Sequence, residues 1–446
     1  MSESKETSEK GARTMLEIQP VQQPLNAVVE VPGSKSISNR ALPIAALATG
    51  TSTLRNMLFS DDSRYFMSCL QKLGFQLEID EDTKTVVVEG LGGTLPSHDG
   101  ILDLFVGNAG TAARFLTAFV SIGVGTYRID GIPRMRERPI QDLIDALQTL
   151  GVSIRSELGT GCPPVLVEAN GLPGGEVSIP GNKSSQYLSA LLLTAPYANR
   201  DVEIKVSGEL LSAPYIDMTI RMMSQFGVQV ETHGDNVFHI AAGQRYKARD
   251  YIVEPDASSA SYFAAAPAIA GGRVRVTNLS RDSLQGDALF AGLLEQMGCQ
   301  VRWGTDYIEV EKRDGQTLRG IDVDLNEMSD TTMTLAVVAP FASTPTTIRN
   351  IGHIRIKETD RIHAVVTELR KLGVQVEEWE DGMRIYPASQ IRPAEIDTYD
   401  DHRMAMAFAL VGLRVNGVKI KDPGCVSKTF PTYFEVFTKM CNPTTT

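Results

Sequence analysis

One short pattern occurs six times along this chain of 446 residues, and the repetition limits the folds that the chain can adopt. Each copy follows a short strand-like run and is a turn of small polar residues that leads into an apolar segment. The copies are GSKSISNRALPIAAL from Gly33, GNAGTAARFLTAF from Gly107, GNKSSQYLSALLL from Gly181, DASSASYFAAAPAI from Asp256, MSDTTMTLAVVAPF from Met328 and DDHRMAMAFALVG from Asp400. Their starts are 72 to 75 residues apart. We therefore predict six helices that begin at these turns.

A second marker lies between the copies and is typical of a helix that ends at a glycine and is followed by an alternating strand. It reads QKLGFQLEI, QTLGVSIRS, SQFGVQVET, EQMGCQVRW and RKLGVQVEE, with glycines at 74, 151, 227, 298 and 373. Each repeat is thus a strand–helix–strand–helix–strand unit in outline. The sixth unit lacks the marker because the sequence ends, and the N-terminal run TMLEIQPVQQPLNAVVEV is predicted to supply strands there.

Six such units can form one solenoid or two globules of three units each. A solenoid of long, mixed units would be unusual, so we predict two globular α/β domains with the active site in the cleft between them. The chain would cross between the domains near residues 31–35 and 253–258. Domain 1 is then residues 15–33 plus 255–446, domain 2 is residues 34–254, and residues 1–14 form a disordered leader.

The overall charge excludes several classes of protein. A net charge of −11 and a pI near 5.2 argue against a nucleic-acid partner or a polybasic membrane surface. No run of eighteen apolar residues occurs, so no membrane span is expected. The five cysteines show no CxxC spacing, which favours neither a disulfide framework nor a zinc site and fits a reduced cytoplasm. Any anion must therefore be held by locally placed cations.

The repeated turns have the character of anion sites, because a helix N-terminus presents unpaired N–H groups and a partial positive charge. Ordinary N-capping explains any single copy. Capping, however, needs one hydroxyl and no cation, whereas four copies carry additional cations or hydroxyls: Lys35, Ser36 and Arg40; Arg114; Lys183, Ser184 and Ser185; His402 and Arg403. Taken together, the six turns favour anion binding.

Further charged residues lie between the copies. RMRERPI contains Arg134, Arg136 and Arg138; IRIKETDRI contains Lys357, Glu358, Asp360 and Arg361; and Lys428 lies beside a Pro/Gly turn. Solvated charge runs are the alternative for each cluster, and if the second is helical, Lys357 and Arg361 share a face. The chain has no P-loop, no dinucleotide fingerprint, no metal spacing of histidines and no GxSxG elbow. These residues indicate a cleft for small, multiply anionic substrates, with Lys35, Asp330 and Glu358 as candidate acids and bases.

From about Leu25 to Phe437, the chain closely resembles the 5-enolpyruvylshikimate-3-phosphate synthase family. The motifs are PGSKSISNRAL, GNAGTAAR, RERPIQDL, SSQYLSALL, SAPYIDMT, IKETDRI, YDDHRMAMAFAL and SKTFPTYF, in family order. The resemblance implies two domains of three βαβαββ units each, an inside-out α/β barrel. It also implies transfer of an enolpyruvyl group from phosphoenolpyruvate to the 5-hydroxyl of shikimate 3-phosphate, through a tetrahedral ketal, without a metal or organic cofactor.

The resemblance also assigns roles to residues. In the family pattern Glu358 protonates the methylene carbon, Asp330 deprotonates the hydroxyl and Lys35 balances the phosphate charge. The positions implied for phosphoenolpyruvate are Lys35, Gly110, Arg138, Gln186, Arg361, Arg403 and Lys428. Those implied for shikimate 3-phosphate are Ser36, Arg40, Ser184, Ser185, Gln186, Ser212, Tyr215, Asp330, His353 and Lys357. Asn108 and Thr111 are expected to shape the turn, and Arg114 to brace the site from the helix.

Three positions depart from the family pattern: Phe115 in place of a common proline, His353 in place of asparagine, and Lys183 before the serine pair. Phe115 predicts altered sensitivity to the herbicide glyphosate. A sister transferase that acts on UDP-N-acetylglucosamine is the nearest alternative, but it typically uses a loop cysteine, and none lies between Cys69 and Cys162. The other alternative is a non-catalytic anion-binding protein. We expect a cytoplasmic monomer whose partners are the two small substrates.

Overall fold

The computed structural model describes residues 15–234 and 236–442, so the predicted leader at residues 1–14 lies outside the described residues. The described α-helices are α1 Lys35–Leu47, α2 Asp61–Lys72, α3 Gly110–Phe119, α4 Gln141–Thr149, α5 Ser185–Thr194, α6 Ala213–Gln225, α7 Ala257–Ala270, α8 Phe290–Met297, α9 Thr332–Val338, α10 Arg361–Lys371, α11 His402–Gly412 and α12 Tyr433–Cys441. Short 3-10 turns connect several of them.

The β-strands are short and follow the same repeat. They are β1 Met15–Glu17, β2 Leu25–Val29, β3 Thr49–Arg55, β4 Leu77–Asp80, β5 Thr85–Leu91, β6 Ile101–Phe105, β7 Val124–Asp130, β8 Ser153–Ser156, β9 Val165–Asn170, β10 Gly175–Pro180, β11 Val202–Ser207, β12 Glu231–His233, β13 Val237–Ile240, β14 Asp250–Ile252, β15 Gly272–Thr277, β16 Gln300–Trp303, β17 Tyr307–Lys312, β18 Asp322–Asp324, β19 Thr346–Arg349, β20 Val376–Trp379, β21 Gly382–Ile385, β22 Glu395–Ile396 and β23 Lys419–Lys421.

Both sequence markers fall where the pattern predicts. The six repeated turns open the odd-numbered helices, α1 to α11, although a 3-10 turn at Asn326–Thr331 delays the start of α9 to Thr332. The five marker glycines follow the even-numbered helices, α2 to α10, and all have a positive φ, between 82° and 114°. Glycine adopts this conformation without strain, which explains why it recurs at each helix end.

Five of the sheets have four strands in one repeated order, for example β6-β7-β9-β8. In each of these sheets the first two strands are parallel and the remaining pairings are antiparallel, and in three of the five the parallel strands flank one odd-numbered helix. The sixth sheet has three strands, in which β1 pairs with β23 and β23 with β22. The prediction that the N-terminal run completes the sixth unit is therefore right for β1.

The same prediction is wrong for β2. This strand precedes α1 in the sequence, but it pairs in parallel with β15, which follows α7. Conversely, β14 precedes α7 and pairs in parallel with β3, which follows α1. The two units exchange their first strands because the chain crosses between the domains at these points. Backbone hydrogen bonds join the crossing segments, from Ser34 N–H to the Glu254 carbonyl (2.7 Å) and from Asp256 N–H to the Pro32 carbonyl (2.8 Å).

The apolar residues form two separate clusters, which gives the two predicted domains. One cluster includes Ile37 to Val253 together with Leu284, and the other includes residues 18–31 and 257–440. Within each domain the odd-numbered helices pack against one another and are almost wholly buried, while the sheets lie outside them. This is the inside-out α/β arrangement that the resemblance implies. The exact domain boundaries stay a prediction.

None of the helices in the described ranges combines the length and the apolar composition that crossing a bilayer requires.

Candidate active site

A cleft between the two domains brings the predicted site residues together. Fifteen of the seventeen line it, and the other two, Arg403 and Lys428, contact residues that do. The lining also includes Asp62, Thr111, Arg114, Pro139, Lys183, Tyr187, Leu211 and Ile356. Seven of the lining side chains are Lys or Arg and three are Asp or Glu, in a chain whose net charge is −11. The cleft therefore concentrates positive charge that the whole molecule lacks.

α1, α3 and α5 begin at this cleft, where Lys35, Gly110 and Ser185 line it. Ser34 caps α1 and Ser184 caps α5, so ordinary capping is present as well. The start of α3 differs, because its N-cap residue is Ala109 and no side-chain cap bond forms there in the described structure. The first N–H groups of α3 are thus available to an anion.

Two cations converge over the start of α3. Arg138 donates to the Asn108 carbonyl (2.9 Å), and Lys428 of the other domain donates to the same oxygen (2.8 Å). Gly110 permits this approach, since a Cβ atom there would lie 2.4 Å from Arg138 Nη2. Arg114 donates to the Gly110 carbonyl (3.1 Å) within the first turn of α3.

Asp330 lies at the centre of a second set of cations. Lys357 Nζ and Arg361 Nη1 lie 2.6 Å and 3.1 Å from its Oδ1, and Arg403 Nη2 lies 2.7 Å from its Oδ2. Burial alone would raise the pKa of Asp330, but these cations hold it well below its usual range. α10 begins only at Arg361, so Lys357 does not share a helix with it, and Asp330 brings the two together instead.

Glu358 is the second carboxylate. Its Oε2 accepts a hydrogen bond from Arg361 (2.8 Å), and its Oε1 lies 3.9 Å from Lys428. Burial favours the protonated acid, but Arg361, Arg138, Lys428 and Lys35 outweigh burial and hold the pKa of Glu358 well below its ordinary value. Glu358 is therefore ionised before any ligand binds.

At the edge of the cleft, residues of one domain contact residues of the other. The Ser212 N–H donates to Asn326 Oδ1 (3.0 Å), and the Ser212 hydroxyl lies 3.3 Å from His353 Nε2. Burial, followed by the neighbouring Lys357, lowers the pKa of His353 to about 3, so its imidazole is neutral at physiological pH. Arg134 bridges the domains by donating to the Glu358 and Lys357 carbonyls (3.1 and 3.2 Å).

Comparison with known proteins points to one family. The family described as EPSP synthase (3-phosphoshikimate 1-carboxyvinyltransferase) matches residues 20–437. The chain is 55% identical to a 3-phosphoshikimate 1-carboxyvinyltransferase of Nostoc sp., over 94% of this chain and 97% of that one. It is 50% identical to a chloroplastic protein of that name from Brassica napus, over 96% of this chain and 85% of that one.

The chain belongs to the EPSP synthase family.

A solved EPSP synthase from Acinetobacter baumannii has the same fold, with a TM-score of 0.79, 26% identity, and coverage of 96% of this chain and 98% of that one. The resemblance to this family is therefore confirmed, and so is the fold.

The EPSP synthase resemblance and the residue patterns missed several groups that shape the cleft. Asp401 accepts from Arg361 Nε (2.8 Å) and caps α11, and Asp62 lies 3.2 Å from Lys428 and 3.9 Å from Lys35. Asp401 directly precedes HRM in the sequence, and an acidic residue at that position predicts the helix cap. Nothing in the sequence predicts that Asp401 also pairs with Arg361. No sequence pattern points to Asp62, because its role depends on its contact with Lys428 of the other domain.

The charged stretch RMRERPI divides among three roles. Arg136 pairs with Asp130 at the surface (2.6 Å), as the alternative of a solvated charge run predicts. Arg134 joins the domains, and Arg138 lies in the cleft of this EPSP synthase family member.

Proposed function

We propose that this cleft transfers the enolpyruvyl group of phosphoenolpyruvate to the 5-hydroxyl of shikimate 3-phosphate, which releases phosphate. Membership of the EPSP synthase family supports this reaction. The observation that carries it to this site is the concentration of seven cations and three carboxylates in the cleft of an acidic chain. Two substrates that each bear a phosphate and a carboxylate match that charge.

Shikimate 3-phosphate takes the part of the cleft where α1 and α5 begin. Its phosphate binds Ser184, Ser185 and Ser212, with His353 as a further donor. Its carboxylate binds Ser36 and Arg40, and Tyr215 packs near the ring. This placement directs the 5-hydroxyl to Asp330 and Lys357, whose charged groups lie 2.6 Å apart.

Phosphoenolpyruvate binds in the part of the cleft where α3 begins. Its phosphate binds the N–H of Gly110 and the side chains of Lys35, Arg138, Gln186 and Lys428. Gln186 already reaches this helix through a hydrogen bond to the Thr111 hydroxyl (3.2 Å).

The carboxylate of phosphoenolpyruvate binds Arg361 and Arg403. Guanidinium groups suit this role, because their planar array of donors matches a carboxylate. Both arginines now donate to Asp330. The incoming carboxylate therefore replaces part of that pairing and releases Asp330 to act on the 5-hydroxyl.

The proposed reaction divides proton transfer between two carboxylates. Asp330 accepts the proton of the 5-hydroxyl as the oxygen attacks C2 of phosphoenolpyruvate, and Glu358 donates a proton to C3. In the tetrahedral ketal, Glu358 takes a proton back from the new methyl group as the C2–O bond to phosphate breaks. Lys35 balances the charge of the departing phosphate, and the proton on Asp330 passes to solvent.

The low pKa of Glu358 in the empty cleft does not suit an acid, but binding of phosphoenolpyruvate weakens the effect of the cations that lower it. Arg361, Arg138, Lys428 and Lys35 lower the pKa of Glu358. The same four cations are the proposed partners of phosphoenolpyruvate. When its negative charges pair with them, their effect on Glu358 weakens and burial dominates, so the pKa of Glu358 rises.

Phosphate release tests the function. The purified protein is mixed with phosphoenolpyruvate and either shikimate 3-phosphate or UDP-N-acetylglucosamine, without added metal. Release with shikimate 3-phosphate alone is the expected result. Release with the sugar nucleotide alone would contradict the proposed substrate, and no release from folded protein would favour a binding protein.

We also propose a cytoplasmic monomer. All five cysteines are unpaired thiols, which suits a reducing compartment. Light scattering of the purified protein is expected to give a mass near 48.5 kDa, and twice that mass would contradict the monomer.

A further inference from the structure

Arg40 is a buried cation with an unusual set of partners. Its side chain lines the cleft, and the residue is only 2% exposed. Its guanidinium donates to the Thr219 hydroxyl (2.7 Å), the Ser36 carbonyl (3.0 Å), the Ser189 hydroxyl (3.2 Å) and the Tyr215 carbonyl (3.2 Å). These are all neutral oxygens, and no carboxylate is among the partners of Arg40 in the described part of the chain.

The contrast with Arg361 shows what this arrangement does. Arg361 is equally buried, but it donates to three carboxylates, those of Asp330, Glu358 and Asp401. Its charge is already compensated within the protein. The hydrogen-bond acceptors of Arg40 carry no net charge, and burial lowers its pKa to about 10. A buried charge without a counter-ion is costly unless other groups stabilise it.

Aromatic rings supply that stabilisation. The Arg40 Cζ atom lies over the Phe115 ring, 5.3 Å from its centroid, and 5.9 Å from the centroid of Tyr215. Both distances fall within the range of a cation–π interaction, in which the negative face of the ring attracts the cation. A ring stabilises the guanidinium but carries no net charge, so it leaves the charge of Arg40 available to an anion in the cleft.

We propose that Phe115 is a positioning residue that stabilises and orients Arg40 for the carboxylate of shikimate 3-phosphate. Phe115 does not line the cleft, so it acts through Arg40. The inference rests on the proposed function, because it takes Arg40 as the group that binds this carboxylate. The competing explanation is that Phe115, which is 2% exposed, only fills the core.

A binding experiment separates these explanations. The dissociation constant is measured by calorimetry for shikimate 3-phosphate and for its analogue in which the carboxylate is replaced by hydroxymethyl. Wild-type protein is expected to prefer shikimate 3-phosphate. Phe115→Leu is expected to weaken shikimate 3-phosphate by about three- to thirtyfold, the range of a partly desolvated cation–π contact, and to leave the analogue unchanged. Phe115→Tyr keeps the ring face and is expected to restore the preference.

Phe119→Leu is the matched control. Phe119 lies one turn further along α3, is also buried, and packs against the Phe75 ring (5.7 Å). Its truncation is expected to destabilise the fold without changing the ratio of the two affinities. If Phe115→Leu does not fold, trifluorophenylalanine at position 115 keeps the shape of the ring and weakens its negative face, and it is expected to give the same selective loss.

Each outcome decides one claim. Equal weakening of both ligands, or no weakening of either, would overturn the role of Phe115 and leave the function standing. Wild-type protein that binds both ligands equally would overturn the assignment of Arg40 and this inference with it. Wild-type protein that binds neither ligand would contradict the proposed function itself.

Discussion

Replacement of Glu358 by glutamine removes the proposed acid and changes little else. Glutamine has nearly the same shape, and Arg361 keeps its bonds to Asp330 (3.1 Å) and Asp401 (2.8 Å). General acid catalysis contributes roughly 10²- to 10⁴-fold, which is about 3–5 kcal/mol of transition-state stabilisation. We therefore expect kcat to fall by about that factor.

The Michaelis constant for shikimate 3-phosphate is expected to change little. The carboxylate oxygens of Glu358 contact Arg361 and Lys428, and neither cation belongs to the proposed site of this substrate. Unfolding should also stay close to that of the wild type, since glutamine keeps the shape of the side chain and an oxygen that can accept the hydrogen bond from Arg361. Glu168→Gln is the control, because this glutamate pairs with Arg155 at the surface and should leave the kinetics unchanged.

Isotope exchange shows whether Glu358 acts on carbon. In D₂O with both substrates present, wild-type protein is expected to place deuterium in the methylene group of recovered phosphoenolpyruvate, because the methyl group of the ketal can lose any of its three hydrogens. Glu358→Gln should lose this exchange together with kcat. A fall in kcat of less than tenfold, or exchange at the wild-type rate, would refute the acid role.

Three further substitutions test the placement of phosphoenolpyruvate, the pairing of Asp401 with Arg361 and the titration of Asp287. Gly110→Ala places a Cβ atom 2.4 Å from Arg138 Nη2. In steady-state kinetics it is expected to raise the Michaelis constant for phosphoenolpyruvate more than that for shikimate 3-phosphate. Equal effects on the two constants would argue against the placement of phosphoenolpyruvate at α3. Asp401→Ala removes a buried partner of Arg361 and the N-cap of α11. In urea titrations it is expected to lower the free energy of unfolding by about 3–5 kcal/mol. A loss below about 1 kcal/mol would contradict the pairing of Asp401 with Arg361. Burial raises the pKa of Asp287 to about 7, so the folded state keeps a proton that the unfolded state releases. The contribution of Asp287 to the free energy of unfolding therefore falls as pH rises from about 4 to about 7, by on the order of 4 kcal/mol. Asp287→Asn should remove that fall, and an unchanged pH dependence of unfolding would exclude Asp287 as its source.

The sequence predicts the repeating part of the fold well because its signals are local. A glycine with a positive φ ends each even-numbered helix from α2 to α10, and a small polar turn opens each odd-numbered helix, so the period and the element type can be read directly. The exchange of β2 and β14 could not be read in this way. Each strand is adjacent in sequence to one helix and pairs in the sheet of another, and only the crossing of the chain between domains decides the partner.

The site, like the fold, has some features that the sequence predicts and others that it does not. Cations at the helix starts are visible as residue types at fixed positions, and the structure gathers them into one cleft. Their partners across the cleft are not visible. The pairing of Asp62 with Lys428, and the bond from Ser212 to Asn326, join residues more than one hundred positions apart. In the sequence, Phe115 stands out only as a departure from the family pattern, and its contact with Arg40 results from the packing of α1 against α3. The expected change in glyphosate sensitivity stays a prediction.

A crystal structure with bound shikimate 3-phosphate shows whether both domains hold the substrates in one cleft. We predict the phosphate on Ser184, Ser185 and Ser212, the carboxylate on Arg40, and the 5-hydroxyl within about 3.2 Å of Asp330. A ligand bound outside the cleft, or turned so that its phosphate lies on Arg40, would contradict this prediction.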